Sequence, residues 1–180
     1  FITAGYHRYF AHRSFRTGRV FQFVLAFGGE TAAQKSALWW AGHHRMHHRH
    51  SDTELDPHTP RKGFWWSHVG WILSDETSER PAGTMKDFEK FPELVFLSRH
   101  DWIAPWALGL ACFLIGGLPG LLIGFLLSTV LLWHSTFLIN SLAHVFGSRR
   151  FATEDTSRNN FALALLTMGE GWHNNHHHYQ

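Results

Sequence analysis

The ten residues Ala41-Gly42-His43-His44-Arg45-Met46-His47-His48-Arg49-His50 include five imidazoles. On a helix, His44, His47 and His48 stand at i, i+3 and i+4 and project from one face. His173, His176 and His177 repeat that spacing within Gly171 to His178, and His7 and His12 form an H-x4-H pair near the start. Neutral imidazole is the commonest metal ligand in proteins and suits iron, zinc, copper and nickel. The single cysteine, Cys112, lies in an apolar run, which excludes a disulfide framework and a cysteine-based zinc site. Eight histidines exceed the roughly four to six ligands of one ion, so the pattern predicts two metals.

Helices must present these clusters. His7 and His12 are five apart, about 140° around a regular helix, and cannot both face one ion without distortion. A helix end is expected there, with His12 on the last turn or just beyond it. Arg19 to Trp40 is apolar only in short stretches and is interrupted by Glu30, Gln34 and Lys35. It predicts helices lying along an interface or against the core and leading into the second cluster. Ser51 to Arg61 is rich in turn formers, including Asp56-Pro57 and Thr59-Pro60. Gly63 to Leu73 is aromatic but short and reads as interfacial. Ser74 to Lys90 is polar and predicts a surface connection. Phe151 to Asn160 reads as a loop, and Asn160 to Met168 as a helical lead into the third cluster.

Trp102 to Gly116 and Leu121 to Asn140 carry no charge, and Gly116-Gly117-Leu118-Pro119-Gly120 between them predicts a turn. The expectation is a transmembrane hairpin at about residues 102–140. Its alternative is a buried hairpin in a soluble bundle. Two crossings return the chain to the side it left, as a shared site for the second and third clusters requires. Lys and Arg number 16 against 14 Asp and Glu, a net charge of +2, too mild to argue for nucleic acid. Basic residues crowd around the clusters and are absent from Asp101 to Phe146, which places the clusters on the cytoplasmic face by the positive-inside rule. Nine Trp and sixteen Phe suit a lipid interface, although the mean hydropathy is mildly negative. Asn140 and His144 share a face where the second apolar run ends; on spacing alone His144 is equally a ligand or an interface residue.

These motifs together resemble the membrane-bound fatty acyl desaturases, specifically the acyl-CoA (stearoyl-CoA, delta-9) branch in a bacterial-like form. The resemblance covers nearly all 180 residues. It rests on Gly5-Tyr6-His7-Arg8-Tyr9-Phe10-Ala11-His12-Arg13, on Trp40 to His48, on Asp56-Pro57-His58, on Gly63 to Trp71, on Asn140 to His144 and on Gly169 to His178. It implies an all-α integral membrane protein whose cytosolic, histidine-rich helical cap holds two iron ions. It implies metal ligation by His7, His12, His44, His47, His48, His144, His173, His176 and His177, with Asn140 approaching one metal through water. His43, His50, His58, His68, His100, His134 and His178 fall outside that set. The chain opens on Phe1 and closes just after the third cluster, so a fragment lacking the first two transmembrane helices is expected, with residues 1–180 forming one desaturase domain.

The implied reaction is the oxygen-dependent introduction of a cis double bond, at delta-9, into a saturated acyl chain carried as acyl-CoA or acyl lipid. Dioxygen is the co-substrate, and a small haem cytochrome or a ferredoxin with its reductase supplies electrons. No side-chain acid or base deprotonates an unactivated methylene, so the cofactor must carry the chemistry. Arginines and backbone groups are expected to fix the histidine tautomers, with Glu170 and Asp56 as further candidates. Trp65, Trp66 and Trp71 are candidates to line an acyl tunnel, or equally to pack at the interface. Arg61, Lys62, Arg149 and Arg150 are candidates for a CoA headgroup or for lipid phosphates. Two other readings remain open: a di-iron lipid or alkane hydroxylase on the same scaffold, and a membrane metal-binding protein.

Overall fold

A computed structural model describes all 180 residues, Phe1–Gln180. The chain is helical and has no strands; only isolated bridges join Ser148 to Asn159 and Asn159 to Trp172. In order the helices are α1 (Ile2–Ala11), α2 (Arg19–Glu30), α3 (Ala37–His50), α4 (Phe64–His68), α5 (Lys86–Glu89), α6 (Pro92–Arg99), α7 (Ile103–Pro119), α8 (Gly120–Leu127), α9 (Ser128–Ser141), α10 (Phe161–Leu166) and α11 (His173–His178). The chain forms two compact units. Phe1–Arg45 with Arg80–Trp133 makes the first, and Met46–Glu79 with His134–Gln180 the second.

In the first unit, α1 is π-helical. The amide of His12 donates to the carbonyl of His7 at 3.0 Å, an i→i+5 bond. This is the distortion that the five-residue spacing demanded, and His12 sits just beyond the last turn. Tyr6 and Phe10 of α1 are fully buried against Leu25 and Ala26 of α2, Leu38 and Ala41 of α3, and Leu94 and Leu97 of α6. The tyrosine hydroxyls are satisfied: that of Tyr6 donates to the Lys35 carbonyl and that of Tyr9 to Gln22, both at 2.9 Å.

Met85 and Phe88 also belong to this core, which corrects the expectation that Ser74 to Lys90 is purely a surface connection. Two apolar residues three apart put one face of a short helix inward, and Asp87 between them is held by Arg45. The Arg45 guanidinium spans three segments. It donates to both Asp87 oxygens at 2.9 Å, to the Thr84 carbonyl at 2.8 Å, and to the Phe10 and Ala11 carbonyls at 2.6 and 3.0 Å. Helix α6 begins with Pro92 in its first turn and Glu93 beside it, both favoured at a helix start. Arg19 of α2 grips that Glu93 carboxylate at 2.7 Å through two nitrogens.

The chain reverses at Gly117, whose φ of 59° and ψ of −149° a residue with a side chain rarely adopts. Past it, α8 lies against α7. A Cβ on Gly109 would meet the Phe125 ring at 3.2 Å, and Gly120 lies directly on the Cys112 carbonyl. Leu114, Ile115, Leu118, Ile123 and Leu131 are exposed. Helical structure from Ile103 to His144, 42 residues, is long and apolar enough to cross a membrane.

Glu30, at the end of α2, is only 1 % exposed. Burial, and then the charge of Asp101, push its carboxyl up to about 8. An unfolded glutamate ionises near 4.3. Folding therefore holds a proton that the unfolded chain releases, and stability falls as pH rises from about 4.3 towards 8. Glu30→Gln removes this penalty. Its thermal midpoint should lie several degrees above that of the parent at pH 7.5 and coincide with it near pH 4. Equal midpoints at both pH values would show that the carboxyl ionises normally.

In the second unit, turns carry the chain from Ser51 to α4, and the Thr59 hydroxyl oxygen accepts from the Arg61 amide ahead of Pro60. Asn160 caps α10, accepting from the Leu163 amide at 3.1 Å. The paired asparagines of the third cluster fasten α11 to the 148–160 segment. Asn174 is fully buried; its oxygen accepts from the Arg150 and Phe151 amides at 2.8 Å and its nitrogen donates to the Phe151 carbonyl. The Asn175 oxygen accepts from Asn159 at 2.8 Å, and the Asn175 amide donates back to the Asn159 oxygen at 3.1 Å.

Candidate metal centre

Each unit carries histidines whose ring nitrogens converge. In the first, Nε2 of His12 and of His44 lie 3.0 Å apart. The His7 ring stands 4.8 Å from that of His12 and 4.6 Å from that of His44, nearly perpendicular to both. The π-helical turn brings His7 and His12 together, and Trp40 stacks on His44 from one helical turn earlier at 5.0 Å.

In the second unit, His47 of α3, His144 on the turn after α9, and His173 and His177 of α11 are all buried, with one ring nitrogen from each within 4.8 Å of the others. Nε2 of His144 is 3.0 Å from Nε2 of His173, and Nε2 of His47 is 3.3 Å from Nε2 of His177. Beside them, Nε2 of His48 is 2.9 Å from Nε2 of His176. Thus His144, undecided on spacing alone, joins this cluster. Asn140 is half-buried on the last turn of α9, four residues earlier.

Carboxylates stand behind three of the rings. Nδ1 of His47 is 3.0 Å from Asp56, Nδ1 of His144 is 3.1 Å from Asp52, and Nδ1 of His177 is 2.7 Å from Asp155. A carboxylate accepts a proton-bearing nitrogen, so each neutral ring carries its proton on Nδ1 and turns a bare Nε2 lone pair inward. The Nε2 lone pairs of His47 and His177, facing one another at 3.3 Å with a carboxylate behind each ring, repel unless a cation lies between them, so this donor set fits a metal ion.

The carboxylates are themselves fixed. Asp56 accepts from the Asp52 amide at 2.8 Å and the His58 amide at 3.2 Å. Asp155 accepts from the Thr153 hydroxyl and the Ser157 amide at 2.9 Å, and Asp52 from the amide and hydroxyl of Thr156. Burial pushes the Asp52 carboxyl up, but the bonds from His144 and Thr156 outweigh it and hold it at about 2. Against the same burial, His47 and His58 hold Asp56, and His177 and Ser157 hold Asp155, far below the usual carboxylate range. Burial pushes the His177 imidazole down to about 4 in spite of Asp155, and holds His173 well below its ordinary value. Both rings are therefore neutral at pH 7, as ligation requires. Burial also disfavours charge on His47, but Asp56, then Asp52 and Asp155, outweigh it and raise that imidazole.

Neither Asp52 nor Asp155 was expected behind a ring, and in this cluster carboxylates replace the arginines expected there. Their legible signal is a pairing of Asp with Ser or Thr in loops flanking the histidine segments. Asp56 was a candidate; Glu170, the other, is not among the three. His58 is closer than expected, its ring 4.2 Å from that of His47 and its Nδ1 3.7 Å from Asp56. His43 and His100 face carbonyls in their own helices, Trp39 and Phe96, and His178 stacks on Phe151. Asp155→Asn keeps the shape but removes the charge behind His177. Metal affinity should fall by about 10–100-fold, read by chelator competition at pH 7.5, with the thermal midpoint of the metal-free protein little changed. Unaltered affinity would assign Asp155 to the loop alone.

The fatty acid desaturase family model matches residues 1–180. The sn-1 stearoyl-lipid 9-desaturase of Anabaena variabilis is 42 % identical over 99 % of this chain and 66 % of its own length. The sn-2 palmitoyl-lipid 9-desaturase of Nostoc sp. (strain 36) is 39 % identical over 99 % of this chain and 64 % of its own, and the acyl-CoA C20 Delta5-desaturase of Anemone leveillei 37 % identical over 97 % and 57 %. The chain thus spans between half and two thirds of the length of these relatives. With the family model covering every residue, this chain belongs to the fatty acid desaturase family.

Proposed function

We propose that the protein introduces a cis double bond, at delta-9, into a saturated acyl chain in a membrane. The observation that carries this is the set of buried imidazoles, three of them held by carboxylates from behind, in a chain of this family. Its ligand set is His7, His12, His44, His47, His48, His144, His173, His176 and His177, with Asn140 acting through water. Two bound iron ions, with dioxygen and external electrons, would supply the power to remove hydrogen from an unactivated methylene.

The protein's own groups bind and orient. Asp52, Asp56 and Asp155 keep the protons of three rings on Nδ1, and burial excludes water from His47, His144, His173 and His177. Of the tunnel candidates, Trp71 is the one packed by the cluster, 5.1 Å from His58; Trp65 is 72 % exposed. The hairpin at about 102–140 crosses the bilayer twice and holds the clusters at the cytoplasmic face. There a small haem cytochrome, or a ferredoxin with its reductase, delivers electrons.

The acyl chain is carried as acyl lipid rather than acyl-CoA. The two more similar relatives quoted above are named for lipid-linked chains. Lys62, one of the cations considered for CoA, is already held by Glu76 at 2.7 Å and covers Trp66.

The test is metal analysis of the full-length protein together with the lipid profile of cells producing it. Monounsaturated lipid with bound iron supports the reading. Hydroxylated lipid would turn it to the hydroxylase, and unchanged lipid with bound metal to a binding protein. Cysteine probes at positions 51 and 148 should react from the same side of the membrane; labelling from opposite sides would break the two-crossing topology.

A further inference from the structure

His134 is the one imidazole in the apolar run, and nothing in the proposed chemistry uses it. An ionisable side chain in a spanning helix is costly to keep in lipid and marks a polar partner. His134 is exposed on α9, beyond the exposed Val130, Leu131 and Leu132. Its Nδ1 lies 3.0 Å from Nε2 of His68 on α4, and the two rings stack 5.3 Å apart. His68 is buried, and its Nδ1 lies 3.0 Å from the Ser141 hydroxyl. Ser141 in turn donates to the Phe137 carbonyl at 2.9 Å.

That last bond sets the direction of the whole chain. A hydroxyl has one proton, and Ser141 places it on Phe137, so towards His68 it can only accept. His68 Nδ1 therefore carries a proton. Burial, and then the neighbouring His134, disfavour charge on His68, so its Nε2 is bare and accepts. His134 Nδ1 must then carry the donated proton, and its own Nε2, in the neutral ring, is bare. The outcome is a lone pair on an exposed ring in an apolar helix, with no protein group bonded to it.

We infer that Nε2 of His134 is a headgroup subsite that accepts a hydrogen bond from a hydroxyl of the acyl-lipid substrate, a glycerol or sugar hydroxyl. Chemistry selects among lipid groups. A phosphate diester and an ester carbonyl have no proton to give, and a choline ammonium has no N–H. A hydroxyl has one. The subsite thus discriminates between headgroups of equal charge by whether they carry a hydrogen-bond donor, which in glycerol and sugar headgroups is a hydroxyl. This rests on the acyl-lipid reading above and on α9 lying in the bilayer.

The test uses the full-length protein in nanodiscs. Stearoyl phosphatidylglycerol is compared with stearoyl phosphatidylmethanol, which has the same charge and no hydroxyl. Binding is read by lipid competition on metal-free and metal-loaded protein, and turnover separately. The parent should bind the glycerol lipid about 2–10-fold more tightly, the range of one neutral hydrogen bond. His134→Leu should bind both lipids equally while keeping its thermal midpoint and bound iron. His134→Gln, whose amide oxygen can accept, should recover part of the preference and serves if the Leu variant does not fold. A preference unchanged in His134→Leu, or absent from the parent, overturns the subsite, as does stearoyl-CoA competing for it through His134. Headgroup preference without unsaturated product sinks the desaturase reading alone; unsaturated product without preference sinks the subsite alone.

Discussion

His47→Ala should bring turnover below detection and strip metal from the protein, whereas His50→Ala and His178→Ala should leave both near the parent level. His47 is 1 % exposed, and its Nε2 lies 3.3 Å from that of His177. Truncation removes a ligand and strands the Asp56 carboxylate in a site with no access to water. Leaving a buried carboxylate without its partner costs about 3–5 kcal/mol, so part of the effect will be on folding. His176→Ala separates the two. Its ring meets His48 at 2.9 Å and is only half-buried, so metal should be lost with a smaller fall in stability. The loss of affinity in both variants should exceed the roughly 10–100-fold typical of groups behind the ligands. Iron per chain, measured alongside the thermal midpoint, is the readout. Equal metal loss in all four variants would mean that the ligand set is drawn wrongly.

Arg45→Met should lower stability by about 3–5 kcal/mol, the range for breaking a partly buried ion pair from one side. At roughly 2–4 °C per kcal/mol for a chain of this size, the thermal midpoint should fall by about 6–20 °C. Arg45 donates five hydrogen bonds, two to Asp87 and the rest to the Phe10, Ala11 and Thr84 carbonyls. The Phe10 and Ala11 carbonyls belong to the turn of α1 that positions His12, so metal affinity should fall too. Arg45→Lys should recover little, because one ammonium cannot reproduce a planar fork. A Lys variant as stable as the parent would show that charge alone matters there.

The two triplets were readable because α3 and α11 are ordinary helices at the residues that matter, so spacing translates directly into a shared face. The His7–His12 pair was readable only as a conflict with regular geometry, and the π-helical hydrogen bond resolves it. The reversal at Gly117 was legible as a glycine-rich interruption, although helical structure resumes almost at once. Met85 and Phe88 were not legible, because polar neighbours hide a face only three residues long. Asp52 and Asp155 were invisible for a different reason. Their partners, His144 and His177, are 92 and 22 positions away in sequence, and no periodicity links a loop carboxylate to a distant ring.

The cluster of the second unit has a consequence for the order of synthesis. His47 and His177 are 130 residues apart, and the apolar run lies between them. A ribosome adding about 5–20 residues per second needs roughly 7–26 s to cover that distance. For that interval His47 is made but has no opposite ring. On the proposed two-crossing topology the hairpin enters lipid before α11 exists to complete the donor set, so membrane insertion precedes metal capture.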